Sequence, residues 1–195
     1  MRKISIFKNV RDTSNPFHKS IEYALKRIKE GNSKELVDQI RLLPKDKANQ
    51  LKQKLPSVCF QGTFKYRNDA SIIQHSGFII LDFDNIDNAI AFKKELSKNE
   101  YIYAAWVSPS GKGVKALTKI PPEKENHKGY YLAFEKYIDS PDFDASGKDV
   151  SRACFESYDP ELYLNPDSLI WSEKEEPEIE DIGNSSSEVT IPITS

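Results

Sequence analysis

Two aspartates, Asp82 and Asp84, end the most apolar run of the sequence, GFIILDFD at residues 77–84. In an extended strand, residues i and i+2 project from the same face, so both carboxylates lie on one face while Phe83 points to the other. Carboxylate oxygens are the ligands that Mg²⁺ and Mn²⁺ prefer, and a divalent cation offsets the repulsion between close acids. The pair is therefore a candidate metal site; a strand that ends in a polar turn is the alternative.

A second candidate is the loop SPSGKGVK at residues 108–115, which combines small residues with lysines. Glycine lets a ligand approach the backbone closely, and exposed amides together with lysines bind phosphate. The loop lacks the first glycine of a Walker A loop and leads into a predicted strand instead of a helix. It therefore predicts a phosphate site of another kind, with an ordinary β-hairpin turn as the alternative.

A third acidic segment, PDFD at residues 141–144, is followed by Asp149 and Arg152. Acids, a phosphate loop and a cation together supply what nucleotidyl transfer requires, because metals polarise the phosphate and cations hold the triphosphate. A guanidinium can bind phosphate through two parallel hydrogen bonds, which makes Arg152 a candidate phosphate contact. The alternatives are a surface turn for residues 141–144, and a structural ion pair of Arg152 with Asp149 or Asp159.

The elements that must position these residues alternate between strands and helices in a mixed order. This order, without a strict βαβ repeat and without a G-x-G-x-x-G fingerprint, argues against a Rossmann-type fold. We predict that Gly31 ends the first helix, that Ser33 caps the second, and that the third carries lysines that could contact a phosphate backbone or simply face solvent. Strands are predicted at residues 4–7, 58–60, 78–83, 101–107, 114–120 and 151–157, and helices at 18–29, 45–55, 88–96 and 127–138. The second helix, after Ser33, carries Leu36, Val37, Ile40 and Leu43.

Charge and composition divide the chain into a body and a tail. The chain has 28 basic and 30 acidic residues, but the part after Trp171 holds seven of the acids and only Lys174 among the bases, so residues 1–172 carry 27 bases against 23 acids. This mild excess neither requires nor excludes nucleic acid as a partner. We predict one folded domain over residues 1–172 and an acidic, Ser-rich linker or tail over residues 173–195.

The remaining composition excludes several classes of protein. Cys59 and Cys154 do not form a C-x-x-C pair, which argues against a zinc ribbon or a disulfide framework. No apolar run is long enough for a membrane span or a signal peptide, so we expect a cytoplasmic protein without a membrane partner. The three histidines have no His-x-His spacing, which argues against a rolling-circle nuclease. His75 lies about 20 Å from Asp82 along the strand, which favours a structural role.

Taken together, these motifs resemble the archaeo-eukaryotic primase superfamily over roughly residues 4–165. The closest resemblance is to the primase-polymerase-like N-terminal domain of VirE-type or helicase proteins of mobile elements and phages. Asp82 and Asp84 match its first motif, and Asp144 its third, with Asp142 and Asp149 as fallback candidates. Residues 108–115 stand in place of the second motif, Ser-x-His, without the histidine, and Lys115 is the candidate for the missing cation. The segments FQGTF (60–64), HSG (75–77) and SRACFESYDP (151–160) also resemble this subgroup.

The resemblance implies an α+β fold: an RRM-like antiparallel-sheet catalytic core at about residues 71–172, joined to a small N-terminal α/β unit at about residues 1–70. Helices would cover one face of the sheet, and the active site would open on the other. Asp82, Asp84 and Asp144 would be catalytic and would hold two Mg²⁺ or Mn²⁺ ions. Phosphates would be bound by Ser108, Ser110, Gly111, Lys112, Lys115 and Arg152.

The implied function is template-dependent nucleotidyl transfer, as a DNA primase, a DNA polymerase or both, in the replication of a mobile element, phage or plasmid. Its partners would be a single-stranded or primed DNA template, nucleoside triphosphates and a helicase domain or protein. One alternative is a non-polymerising module that binds nucleotides or single strands and positions a helicase. Another is a nucleotide-processing enzyme that uses the same metal site without a template.

Overall fold

The computed structural model describes residues 2–175, which form three antiparallel sheets and five α-helices. The predicted α+β class is confirmed. The strands are β1 (Lys3–Phe7), β2 (Phe17–Ser20), β3 (Ser57–Cys59), β4 (Gly62–Phe64), β5 (Ile72–His75), β6 (Phe78–Asp84), β7 (Ile102–Val107), β8 (Gly113–Lys119), β9 (Cys154–Phe155) and β10 (Tyr163–Leu164). The helices are α1 (Ile21–Glu30), α2 (Lys34–Leu42), α3 (Lys45–Lys52), α4 (Ala89–Leu96) and α5 (His127–Ile138).

The central sheet has the strand order β10-β7-β8-β6, so β6 lies at its edge. Strand β8 pairs with β6 along the full length of both, which places Asp82 opposite Lys115 and Asp84 opposite Gly113. Alternate residues of β6 face opposite sides. Leu81 and its neighbours of the same parity pack beneath α4 and α5, in a core that also contains Tyr131 and Phe134 from α5.

The second face of the central sheet packs against the N-terminal unit, whose sheet has the order β2-β1-β3-β9. Helix α1 is amphipathic: the Ser20 side chain caps its start by accepting from the Tyr23 amide, and Gly31 ends it at φ 81°. The apolar face of α1 joins Ile80 of β6 and Trp106 of β7 in one buried cluster. The face we expected to be open is therefore covered along much of its length, and Asp82 and Asp84 lie at its end.

Several predicted elements differ from the observed ones. The helix predicted from residue 18 begins at Ile21, because residues Phe17–Ser20 pair with β1 as a strand. The third helix ends at Lys52 rather than at residue 55, and the strand predicted at residues 151–157 is only Cys154–Phe155. Ser33 precedes α2 but does not cap it with its side chain. Its hydroxyl donates instead to the Glu156 carboxylate at 2.6 Å.

Two further observations concern the ends and the surroundings of the chain. The tail predicted at residues 173–195 lies outside the described residues from position 176 onward. None of the helices within residues 2–175 combines the length and the apolar character needed to cross a bilayer.

Candidate functional site

The three aspartates of the sequence prediction meet at one end of β6. Asp82, Asp84 and Asp144 each offer a carboxylate oxygen, and these oxygens lie within 4.8 Å of one another. The first two share a face because they are two residues apart on a strand. Asp144 arrives from a segment far along the chain, after α5, so its position depends on tertiary structure.

Backbone pairing at the free edge of β6 sets the position of Asp144. The Asp84 amide donates to the Asp142 carbonyl oxygen at 2.9 Å, and the Asp144 amide donates to the Asp82 carbonyl oxygen at 2.9 Å. Between these bonds, Phe83 and Phe143 form an antiparallel bridge. Residues 142–144 thus pair with the edge of β6 as a short additional strand segment. This pairing brings the third carboxylate beside the first two.

Packing against α5 holds residues 142–144 in place. The Phe143 ring lies 5.3 Å from the rings of both Phe83 and Tyr131. The Tyr131 hydroxyl donates to the Asp144 carbonyl oxygen at 2.6 Å. The Asp144 side chain also accepts from the Ser146 amide at 3.0 Å. The fallback acids do not join the group: among the described residues, only Asp82, Asp84 and Asp144 are clustered closely enough to share a metal ion.

Two of the predicted cations, Lys115 and Arg152, each contact one of the acids. Lys115 forms an ion pair with Asp82, its cross-strand neighbour, and both side chains are largely buried. Arg152 donates from Nη2 to Asp144 Oδ2 at 2.7 Å. The ion pairs with Asp149 or Asp159 considered for Arg152 are therefore not the observed ones. Within residues 2–175, Asp84 takes part in no ion pair.

The electrostatics of the site differ from one carboxylate to the next. Burial and the charge of Asp82 raise the pKa of Asp84, an effect that Lys115 only partly offsets. Burial tends to lower the pKa of Lys115, but the Asp82 carboxylate outweighs it and the pKa is raised. Burial opposes ionisation of Asp144, yet its bond from Ser146 and the charge of Arg152 lower its pKa. An added cation would therefore favour the ionised form of Asp84.

These residues fit a divalent cation. Asp82 Oδ1 is buried and has no hydrogen-bond partner among the described residues, so the structure leaves one oxygen of the group unsatisfied. Buried polar atoms are normally paired, and an unpaired carboxylate oxygen beside two others is suited to a hard ion. Asp82, Asp84 and Asp144 could therefore hold a metal ion.

The predicted phosphate loop is the turn of the β7-β8 hairpin and adjoins the acids. The Ser108 amide donates to the Gly113 carbonyl oxygen at 2.9 Å, and Gly111 adopts φ 73° inside the turn. A Cβ added to Gly113 would lie 3.2 Å from both Asp84 Oδ1 and Ser108 Oγ, so this glycine lets the loop approach the acid. Ser108 Oγ is also 3.0 Å from Ser110 Oγ. The loop is thus a hairpin turn whose Gly113 pairs with Asp84 of the acidic group.

Lys112 stands apart from the other predicted phosphate contacts. Its side chain is exposed, and it makes no ion pair within the described part of the chain. Its carbonyl oxygen accepts from the Ile86 amide at 3.0 Å, which ties the loop to the segment that follows β6. The backbone of Lys112 therefore has a structural role, and its ammonium group is free to meet a ligand in solution.

Two basic residues that no sequence motif indicated also act on the loop and the acids. Arg41 of α2 donates to the carbonyl oxygens of Ser108 at 3.3 Å and Tyr158 at 2.8 Å. Lys52 at the end of α3 is half-buried; burial and the charge of Lys115 lower its pKa, while Asp84 and Asp82 act against this shift. The lysines of α3 were visible in the sequence, but no local pattern indicates which of them faces the acids.

The segment after Arg152 is structural and fixes the start of the loop. Asp159 accepts from the Val107 amide at 2.8 Å and from the Lys93 ammonium at 2.6 Å, and both charged side chains are buried. The Ser157 hydroxyl donates to the Val107 carbonyl oxygen at 2.7 Å. Val107, the residue before Ser108, is therefore fixed by hydrogen bonds at both its amide and its carbonyl oxygen.

His75 is remote from the acids, as predicted from its distance along the strand. It accepts from the Gly77 amide at 3.0 Å, and its Nε2 lies 3.0 Å from Nδ1 of His127. Burial lowers the pKa of His75 to about 4 and that of His127 to about 3, so both are neutral at neutral pH. The two histidines form a buried polar contact at the start of β6.

Comparison with known proteins gives one match. A family model described as BT4734-like, N-terminal domain, matches residues 50–164, more than half of the chain. The matched range contains the last three residues of α3, the central sheet, the three acids, the hairpin loop and Arg152. No curated protein and no solved structure matches the chain.

Proposed function

The chain belongs to the BT4734-like N-terminal domain family, and we propose, from the geometry of its acidic site, that it is a primase-polymerase that adds nucleotides to a nucleic acid on a template. The observation that carries the proposal is the convergence of three carboxylates, within 4.8 Å of one another, at the point where Gly113 of the hairpin pairs with Asp84. Two cations, Lys115 and Arg152, contact the same acids. Nucleotidyl transfer needs this combination of charges.

The topology of the core supports the RRM-like part of the proposal. Along the chain the core runs β6, α4, β7, β8, α5, and then residues 142–144, which bridge to the free edge of β6. This is the strand-helix-strand-strand-helix-strand order of ferredoxin-like folds, with the bridge in the position of the fourth strand. The order of the acids in the chain, together with the loop between them, also agrees with the motif order of the primase superfamily.

The proposed roles follow from what each side chain touches. A divalent ion held by Asp82, Asp84 and Asp144 would polarise the reacting phosphate and neutralise charge on the leaving group. Lys115 and Arg152 each hydrogen-bond one acid and can exchange that partner for a phosphate oxygen. The Ser108 and Ser110 hydroxyls, 3.0 Å apart in the hairpin turn, would hydrogen-bond a neighbouring phosphate. Arg41 fixes the loop from outside by binding its backbone.

The second candidate function is a module that binds nucleotides or single strands without polymerising them and serves a helicase. The absence of a histidine from the loop favours it, since the primase superfamily uses that histidine at the incoming triphosphate. The Lys115 ammonium is already bound to Asp82, so its availability to a triphosphate decides between the two functions.

The proposal is tested by measuring the incorporation of labelled nucleotides on single-stranded and primed templates, with Mg²⁺ or Mn²⁺. The wild type should give template-dependent products, and Asp82→Asn with Asp84→Asn should abolish them. The matched control is Asp142→Asn with Asp149→Asn, which removes two nearby acids outside the group and should leave product formation intact. Equal activity of the wild type and the Asp82/Asp84 variant would refute the proposal. Absence of products, with nucleotide binding retained, would support the non-polymerising module.

A further inference from the structure

Two adjoining grooves run across the N-terminal unit, away from the acids. The larger, of about 780 Å³, lies between β1, β2 and α1, and the smaller, of about 410 Å³, lies between the segment after β1 and α3. Lys8 lines both, so the grooves meet at this residue. Together they form one long open surface, which we call the N-terminal groove.

Two large aromatic side chains are exposed in the wider part of the groove. Phe17 is 65% exposed and Tyr23 is 42% exposed. Phe17 lies on β2 opposite Ile6, and the Lys19 ammonium lies 5.4 Å from the centre of the Tyr23 ring. Exposed aromatic rings flanked by cations are the platforms on which proteins stack unpaired bases.

The charge of the N-terminal groove is strongly positive. Its lining has five cations, namely Lys8, Arg11, Lys19, Arg27 and Lys54, against one acid, Asp12. Of these cations, only Arg27 forms an ion pair among the described residues, with Glu156. Arg11 is oriented by the neutral side-chain amide of Gln53, at 2.6 Å and 3.1 Å. Four cationic groups are thus available to an anionic partner.

The narrow part of the groove leads toward the acidic site through α3. Gln53 and Lys54, just after the helix, line the groove. Lys52, the last residue of the same helix, is close enough to Asp84, Asp82 and Lys115 for their charges to shift its pKa. Residues at the end of α3 therefore line the groove, and Lys52 beside them is within reach of the charges of the acids.

We infer that the N-terminal groove binds single-stranded nucleic acid, with bases stacked on Phe17 and Tyr23 and phosphates along Lys8, Arg11, Lys19 and Lys54. Single strands fit better than duplexes because paired bases do not present their faces to protein side chains. An acidic peptide would satisfy the cations but would leave the two aromatic rings without a stacking partner. The inference rests on the proposed function only in identifying the strand as the template; binding itself needs neither metal nor catalysis.

Fluorescence anisotropy with a labelled single-stranded dT20 oligonucleotide, in the presence of EDTA, tests the inference. Phe17→Leu with Tyr23→Leu keeps apolar side chains but removes both stacking surfaces, and it should weaken binding at least tenfold, since one stacked base contributes about 1–3 kcal/mol. Tyr137→Leu is the matched control: this tyrosine is 46% exposed but lies on α5, and its loss should leave binding unchanged.

Salt dependence tests the phosphate contacts separately. With four contacts, the slope of log K against log salt should be about −3, and Lys54→Ala or Lys8→Ala should each reduce it by about 0.7. Lys98→Ala, just after α4 and outside the lining of the groove, should leave the slope unchanged. An rU20 arm shows whether DNA or RNA is preferred, and tight binding of either supports the inference.

Failure of the inference and failure of the proposed function give different results. Unchanged dT20 binding in the Phe17/Tyr23 variant overturns the inference even if the wild type incorporates nucleotides. Equal binding of a blunt duplex overturns it as well, because stacking would then not contribute. Groove-dependent binding of dT20 by a wild-type protein that incorporates no nucleotides supports the inference and rejects the proposed function.

Discussion

The Asp144 amide donates a hydrogen bond to the Asp82 carbonyl oxygen at 2.9 Å, so backbone pairing joins two acids that are far apart in the sequence. A second hydrogen bond, from the Asp84 amide to the Asp142 carbonyl oxygen, completes this pairing. The geometry of the acidic group is therefore set by main-chain hydrogen bonds as well as by side chains. Any change that loosens residues 142–144 from β6 should affect metal binding.

Mn²⁺ should stabilise the wild-type protein against heat through the acidic group. A ligand at 100 times its Kd stabilises the folded state by about 2.7 kcal/mol, which corresponds to roughly 5–10 °C for a domain of this size. Asp84→Asn should remove most of this increase in melting temperature, as measured by differential scanning fluorimetry. Asp142→Asn and Asp149→Asn should retain it, because neither carboxylate belongs to the group. A similar increase in all four proteins would mean that Mn²⁺ binds elsewhere.

Without metal, Asp84→Asn should stabilise the protein at neutral pH. The raised pKa of Asp84 means that the folded state favours the protonated acid. The associated stability is present below the ordinary pKa of aspartate and is lost as the pH rises through the higher folded-state pKa. At pH 7 the variant should therefore melt up to about 2 °C higher than the wild type, a small effect because the side chain is only partly buried and solvent screens its charge. The difference should shrink toward pH 4; a constant difference would contradict this origin.

Lys115→Met should destabilise the metal-free protein and increase the effect of Mn²⁺. Removing one partner of a buried ion pair costs about 3–5 kcal/mol, because the other charge remains buried and unpaired. Asp82 would then depend on a metal ion for neutralisation, so the Mn²⁺-induced increase in melting temperature should exceed that of the wild type. Nucleotide binding, measured by calorimetry, should weaken. A smaller increase with Mn²⁺ would show that Lys115 assists metal binding instead of opposing it.

Tyr131→Phe should weaken the site through the backbone of Asp144. The variant loses the hydroxyl that donates to the Asp144 carbonyl oxygen at 2.6 Å, which should cost about 0.5–1.5 kcal/mol in urea denaturation and reduce the affinity for Mn²⁺. Tyr130→Phe is the control on the same helix, since its hydroxyl donates to Glu123 at 2.9 Å. Equal Mn²⁺ affinities of the two variants would exclude a positioning role for Tyr131.

The parts of the fold that were predictable are those with a strong local pattern. Strands β6, β7 and β8 are apolar on both faces because helices cover one side and the N-terminal unit the other, so they were located to within a residue or two. Strand β2 was assigned to a helix because its residues, FHKS, are mostly polar and precede a clear helical repeat. Its strand conformation comes from pairing with β1, which is not encoded locally.

The candidate site likewise has residues that a local sequence pattern predicts and residues that it does not. The shared face of Asp82 and Asp84 follows from strand periodicity alone. The approach of Asp144 depends on an edge bridge between distant segments, and only the family resemblance pointed to this residue. Arg41 and Lys52 come from helices whose orientation depends on packing, so no spacing could relate them to the hairpin loop or to the acids.

The edge position of β6 has a consequence for the protein's solubility. Its FIIL segment is apolar, and an apolar edge strand that is uncovered can pair with a strand of another chain. Charged residues and loops that cover the edge commonly prevent such pairing. Residues 142–144 cover the end of the edge, and the acids place negative charge there. Replacing all three aspartates at once should therefore favour intermolecular β-aggregation, whether or not the protein is an enzyme.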